Sequence, residues 1–422
     1  MADIKILGAG IAGVSANYHA EKLGYTCEIF EAAGRFGGLV DNFKVGGFRF
    51  DKAVHLSFTN NEYVRSIFDN VDYLRHKPQA YNYGDGYWLK HPVQNNLYPL
   101  KIDEKILAIE SFINRPPIMD DSDYGNWLVS QYGNYIAEKY PQRYTQKYWS
   151  VPANQLSMDW VGNRMYKPSL KEVLTGAMTD ETPNTYYAKE MRYPRIGGYR
   201  TFIENIASVC NIQFNKRAIR IDAKRKLIEF IDGSQTYYEH LISTIPLPEL
   251  IKIIDDVPSN IKNAANDLWA TSIELVSIGF NRPDIAKYLW FYIYDEDIAA
   301  ARAYSPNLKS PDNVPENCSS LQFEIYHSQY KPLKMLKDEL IEHIVSSLSK
   351  MKIADKVDIK VIDCRNLPYG NVVFDKGMTA KRSIVRSYLG KIGIETAGRF
   401  GEWDYLWSDQ SLLSGKKAIE RI

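Results

Sequence analysis

Ile4-Lys5-Ile6-Leu7 is a short apolar run, and Gly8-Ala9-Gly10-Ile11-Ala12-Gly13 follows without a break. Val14 to Leu23 then shows helix-like spacing, and Thr26-Cys27-Glu28-Ile29-Phe30 is a second apolar run that stops at Glu31. This order predicts a strand, a tight turn, a helix and a parallel strand. Each glycine has its own task. Gly8 permits the turn, Gly10 lets backbone approach a pyrophosphate, and Gly13 lets helix and strand pack closely. The helix N-terminus offers free N–H groups and a positive dipole end to phosphates. Glu31 stands where an acidic side chain accepts hydrogen bonds from a ribose diol. With the whole context present, a dinucleotide site is expected here rather than a chance glycine-rich turn.

Gly34-Arg35-Phe36-Gly37-Gly38 adds a second glycine cluster directly after Glu31. Nicotinamide-binding units do not need it. In FAD proteins of the glutathione-reductase-like class a glycine-rich turn here passes close to the flavin dinucleotide, so FAD is the expected cofactor. A third glycine segment, Gly398-Arg399-Phe400-Gly401, comes just before a final helix near 409–421. Glycine turns at both ends imply one FAD domain assembled from distant segments, with the middle of the chain inserted into it. At 422 residues the chain is long enough for two or three such units.

The intervening pattern is coarser. Residues 46–98 alternate short strand-like runs with Gly, Asn and Asp turns, and residues 100–160 read as helical, broken near Pro116-Pro117 and around Pro141. Arg195 to Tyr199 leads into a helix through Ala207, strand patterns fill 211–231, and Leu241 to Pro246 reads as a buried strand. Residues 271–328 are strand-rich and 333–351 helical.

A formal net charge of +1 gives no broad electrostatic footprint for nucleic acid or membrane. Cys27, Cys210, Cys318 and Cys364 are scattered, without metal-ligand spacing or a disulfide framework, which suits neutral thiols in a reducing compartment. No window holds the ~20 apolar residues of a membrane-spanning helix, and the apolar start is explained by the glycine motif rather than a signal peptide. A cytoplasmic protein is expected. Aromatic residues reach 13%, with 30 tyrosines, which hints at ring-lined polar pockets.

The chain resembles the UDP-galactopyranose mutases, within the flavin amine oxidase and protoporphyrinogen oxidase superfamily. Beyond the N-terminal motif, the resemblance rests on His55-Leu56-Ser57-Phe58-Thr59-Asn60, on Tyr144-Thr145-Gln146-Lys147-Tyr148-Trp149, on Gly197-Gly198-Tyr199 with Phe202-Ile203-Glu204, and on Gly398 to Tyr405 with Gln410 in register. It implies an α/β fold: a Rossmann-type FAD-binding domain (1–58, 194–250 and 376–422), an inserted helical subdomain (99–160), and an antiparallel β-sheet substrate domain (59–98, 161–193 and 251–375). The cleft between them would take a nucleotide-diphosphate sugar. In such mutases the flavin must be reduced, and its N5 attacks the anomeric carbon. The diphosphate leaves, the sugar ring reopens and recloses at another size, and the diphosphate returns, without net oxidation. Polysaccharide biosynthesis is the implied setting, and a homodimer is compatible with it.

The resemblance also nominates residues. A leaving diphosphate needs fixed positive charge, which the always-charged guanidinium fork supplies. Arg164 and Arg302 are the candidates, the alternative for each being a structural ion pair. His55 would touch the flavin or its loop, or else be a hydrogen-bonded structural histidine. Arg35, Gly37, Gly38, Gly398, Arg399 and Tyr405 are expected at the cofactor. Tyr144 and Trp149 are expected against the base and sugar, or else in the core of the helical part, and Tyr186 with Tyr187 near the nucleotide, or else as an ordinary half-buried pair. No metal site is expected. Three positions depart from the mutases: Phe58 replaces a histidine, Leu406 a tyrosine and Trp407 an aspartate, and a tyrosine sought near Pro368-Tyr369-Gly370-Asn371 is not clearly present. The pocket is therefore expected to be more apolar, which points to a deoxy or amino sugar or to another reaction. The alternative class is an FAD oxidoreductase of the amine oxidase type, taking a hydride from an amine or carbon skeleton. A weaker third is a flavin-binding protein without catalysis.

Overall fold

The computed structural model describes residues 3–117, 123–162, 164–182 and 188–422. The predicted N-terminal unit forms: strand β1 (Asp3–Leu7), helix α1 (Ile11–Lys22) and strand β2 (Thr26–Phe30). The helix starts three residues before the spacing alone suggested, because Gly10 already serves as its N-cap. β1 and β2 run parallel, with Ile4 opposite Cys27 and Leu7 opposite Phe30. Their sheet has five parallel strands. His240–Ser243 lies on the other side of β1, Ile394–Thr396 beyond it, and Ile212–Gln213 outside β2.

Distant segments thus meet in one layer. α1 is buried nearly all round, which a surface helix would not be. One neighbour is the C-terminal helix Ser408–Glu420, where Ser15 Oγ donates to Leu412 O at 2.7 Å. The strand at β1 also comes very close: a Cβ on Gly13 would sit 1.9 Å from the Gly8 carbonyl oxygen. Only hydrogen fits there.

A second, seven-stranded sheet runs in the order Ile359–Leu367, Ser272–Phe280, Ser319–His327, Arg302–Tyr304, Trp290–Ile293, Ala80–Gly84, Tyr87–Lys90. All its pairings are antiparallel except that of Trp290–Ile293 with Ala80–Gly84. Ser319–His327 is buried along almost its whole length, as befits a strand covered on both faces. The molecule is therefore a mixed α/β fold, with a Rossmann-like parallel layer, a largely antiparallel sheet and helices between.

Local structure departs from the sequence pattern at three places. The stretch 46–98 contains a helix, Glu62–Phe68, whose N-cap Asn61 accepts from the Val64 amide at 3.0 Å; the capping signal was present but lay among strand-like runs. The helical stretch does not break at Pro141. It passes through it by a widened π turn, Glu138–Gln142, and continues as Arg143–Tyr148. A π turn shifts the hydrogen-bond ladder by one residue and so absorbs the missing amide of proline. The glycine segment Gly398–Gly401 is one helical turn. Among the described residues no helix is long and apolar enough to cross a membrane.

Candidate active site

A cavity of about 850 Å³ runs from the parallel sheet to the antiparallel one. Gly8, Gly10, Glu31, Gly37, Gly38 and Gly398 line one end. Gly37 holds φ +121°, a conformation that side chains rarely adopt, and its amide donates to Ala9 O at 2.8 Å, tying the second glycine cluster to the first. The Glu31 carboxylate is already fixed. One oxygen accepts from the Ala9 amide at 2.7 Å and the other from the Ala33 amide at 2.8 Å. A carboxylate has about four acceptor sites, so two remain for a ribose diol. Beyond Gly10, a Cβ would meet nothing within 4 Å, leaving open space over the helix N-terminus. These features fit a dinucleotide cofactor.

Gly13 packs α1 on β1, as its place in the motif predicted, and does not itself line the cavity; one expected cofactor contact lies elsewhere. Arg35 does not line the cavity, and its guanidinium pairs with Asp41 at 2.9 Å. Tyr186 and Tyr187 lie outside the described residues.

The other end is cationic and aromatic. Arg164 donates to Trp160 O at 2.6 Å and Tyr405 O at 3.0 Å. Arg399 donates to Asn371 Oδ1 at 2.9 Å and Leu406 O at 3.5 Å. All four acceptors are neutral, and among the described residues no carboxylate pairs with either arginine. Rings brace them instead. Arg164 stands 4.9 Å over Tyr405 and 4.8 Å over Trp407, and Arg399 stands 4.5 Å over Tyr405. Cation–π contacts hold a guanidinium without cancelling its charge.

Arg302 also lines the cavity but is compensated. Its Nε donates to Glu324, which is fully buried, and its Nη2 donates to Tyr326 Oη at 3.0 Å. Burial works against the Arg302 charge, and Glu324 beside it more than reverses this, so its pKa stands well above the usual arginine range. The pairing comes from register: Arg302 and Glu324 are direct partners on neighbouring antiparallel strands. No local motif carried that signal.

Tyr144 stacks on Tyr148 at 5.2 Å and meets Tyr292 edge-on, while Trp149 is almost fully buried among Tyr148, Trp160 and Tyr405. Trp149 is thus both core and cavity wall. Sequence reasoning passed over Tyr148, Tyr326 and Asn371. Tyr148 Oη lies 2.9 Å from Tyr405 Oη and donates to Asn371 Oδ1 at 3.3 Å. Asn371 sits in the very stretch where a tyrosine was sought, so the position was visible although its residue type was not.

His55 faces the cavity with Nδ1 on Ala53 O at 3.1 Å and its ring 5.1 Å from Tyr199. Burial pushes its imidazole down to about 4, so it is neutral at pH 7. Ala53 itself holds φ +75°, a local strain at the cavity rim. Phe58 and Trp407, two of the departures, touch edge to face at 4.7 Å on the cavity wall.

Comparison with known proteins agrees with this layout. A model of an NAD(P)-binding Rossmann-like domain matches residues 6–71. A reduced UDP-galactopyranose mutase superposes with TM-score 0.93 at 24% identity, covering 100% of this chain and 95% of its own. Wild-type putrescine oxidase bound to putrescine gives TM-score 0.70 at 14% identity, with coverage of 100% and 98%. A CLA-producing fatty acid isomerase from P. acnes gives 0.66 at 14%, again with 100% and 98%. At such identities the likeness is one of fold, shared by a mutase, an oxidase and an isomerase. The match that decides membership is by sequence: the model of the flavin containing amine oxidoreductases covers residues 129–366, more than half of the chain. A flavin is the cofactor that family and cavity both call for, and the chain belongs to the flavin containing amine oxidoreductase family.

Proposed function

We propose that the protein is an FAD enzyme that interconverts ring forms of a nucleotide-diphosphate sugar, as a UDP-sugar mutase does, in polysaccharide biosynthesis. The observation that carries this reading is the pair Arg164 and Arg399: two guanidiniums with only neutral acceptors and rings for partners, in a cavity continuous with the dinucleotide turn. Such a pair suits a doubly charged diphosphate. Gly8, Gly10, Glu31, Gly37, Gly38 and Gly398 would hold FAD. When bound, a reduced flavin supplies a nucleophile and an electron pair for the anomeric carbon.

The protein's part is binding and electrostatics. Arg164 and Arg399 stabilise the negative charge that grows as the diphosphate departs, and keep the group close for its return. Tyr144, Trp149 and Trp160 exclude water, so that water does not trap the activated sugar. The Tyr148 hydroxyl gives its proton to Asn371 Oδ1 and so is left to accept, from Tyr405 Oη or from a sugar hydroxyl.

The family's name favours a second reading, an oxidoreductase acting on an amine. The charge pattern argues against it. A cationic ammonium would meet two arginines that no carboxylate pairs with among the described residues; Glu324 is already paired with Arg302, and Glu31 and Asp409 are the acidic side chains on the cavity wall itself. The experiment is to incubate the protein with a UDP-hexopyranose before and after dithionite reduction, and to resolve the products by chromatography. Ring isomerisation that appears only after reduction is the expected result. Oxidation of an amine by the unreduced protein, with hydrogen peroxide released, would put the oxidase reading first.

A further inference from the structure

Val54, Leu56 and Phe58 come from one loop and pack with Met191 and Trp290 in a hydrophobic cluster of their own. Tyr292 links it to the cluster that holds Tyr148, Trp149, Trp160 and Tyr326. Members of both line the cavity. Trp407 stands beside them: its ring meets Phe58 edge to face at 4.7 Å and seats Arg164 at 4.8 Å. An apolar wall therefore begins one ring's breadth from the charged residue.

The polar groups of that loop are bonded within the protein or buried. Ser57 exchanges both backbone hydrogen bonds with Arg192, at 2.9 and 2.7 Å, and its hydroxyl is buried without a hydrogen-bond partner among the described residues. Thr59 Oγ1 accepts from the Asn61 amide at 3.2 Å, and Thr59 O accepts from Arg192 at 3.0 Å. His55 Nδ1 is bound to Ala53 O. A sugar hydroxyl turned toward the side chains of Leu56 and Phe58, or the face of the Trp407 ring, would find carbon.

Resting on the nucleotide-sugar reading above, we propose that the sugar is a 6-deoxyhexose, with its exocyclic methyl on the Leu56–Phe58–Trp407 wall. A diphosphate held at Arg164 brings the attached sugar up against this wall. The ring hydroxyls are fixed to the pyranose frame. The exocyclic carbon is the one position where loss of an oxygen leaves a projecting methyl. Burying that methyl is favourable, and burying an unpartnered hydroxyl is not; together they favour the deoxy sugar by about 10- to 100-fold.

The test uses the full-length, flavin-loaded, dithionite-reduced protein and a matched set: UDP, UDP-galactopyranose and UDP-6-deoxygalactopyranose. Affinity is read by tryptophan fluorescence and isomerisation by chromatography. The expected result is that UDP binds and that kcat/KM is at least tenfold higher for the deoxy sugar. Phe58→Ser, which sets a hydroxyl on the wall, should narrow that preference to less than threefold. If UDP binds but the hydroxylated sugar is processed as well or better, the deoxysugar assignment is overturned and the nucleotide-sugar reading stands. If UDP does not bind, both are overturned.

Discussion

Arg164 and Arg302 looked alike in the sequence, as two cations awaiting a diphosphate, and they differ in what surrounds them. Arg164 meets carbonyls and rings, Arg302 a buried carboxylate. Their alanine variants should therefore fail in different ways. Arg164→Ala should weaken UDP binding by about 10- to 100-fold with little loss of stability, since it removes charge-assisted hydrogen bonds to the ligand. Arg302→Ala leaves Glu324 buried without its cation and should destabilise the fold by about 3–5 kcal/mol in urea unfolding. Similar urea midpoints for the two variants would contradict the distinction. At this scale the sequence disclosed residue types well and partners poorly. Glu31, Arg399 and Tyr405 line the cavity and could be picked out because motifs fix their place along the chain, although the motif puts Arg399 at the cofactor rather than at a substrate diphosphate. Glu324 and Asn371 could not be, because their roles arise from strand register and from a turn that only the folded chain brings beside Tyr148.

The elements that position the site are legible where local sequence alone determines them. β1, α1 and β2 could be read because strand, turn and helix follow within thirty residues and each glycine has one steric reason. Gly13→Ala tests the tightest of these contacts. Its Cβ would lie 1.9 Å from a backbone oxygen, so helix and strand must separate. The variant should lose bound flavin and melt several degrees lower, as overpacking of about 1–3 kcal/mol requires. Wild-type flavin occupancy and melting temperature would show that the contact has room to relax. The helix Glu62–Phe68 and the π turn at Pro141 were hidden for opposite reasons. The first is short and sits among strand-like runs, so its cap was outweighed by its neighbours. The second keeps its course because the π turn absorbs the missing amide and Tyr140 and Tyr144 pack on Tyr292 and Tyr294, so the local rule for proline gave way to packing.

Across the whole molecule, the parallel sheet joins strands from residues 3 to 396, and the cavity lies where it meets the antiparallel sheet. That glycine turns at both chain ends belong together was readable; the strand order was not, since long-range pairing leaves no periodic signal. Burial on this scale also sets the response to pH. His55 and His91 are each pushed down to about 4 by burial, against about 6.5 in an unfolded chain. The unfolded state then binds more protons between these values, so stability is full above pH 6.5 and is lost as the pH falls toward 4. Unfolding in that window should take up protons, and the melting temperature should fall from pH 7 to pH 5. A flat melting temperature over this range would contradict the burial of both imidazoles. The claim on which the functional account turns is that Arg164 and Arg399 form an uncompensated anion site. Trp149, Trp160 and Trp407 surround it, so titration of the flavin-loaded protein with UDP, oxidised and then dithionite-reduced, reads it directly by tryptophan fluorescence. The account predicts saturable binding, tighter in the reduced form and weakened by salt; no binding in either state would contradict it.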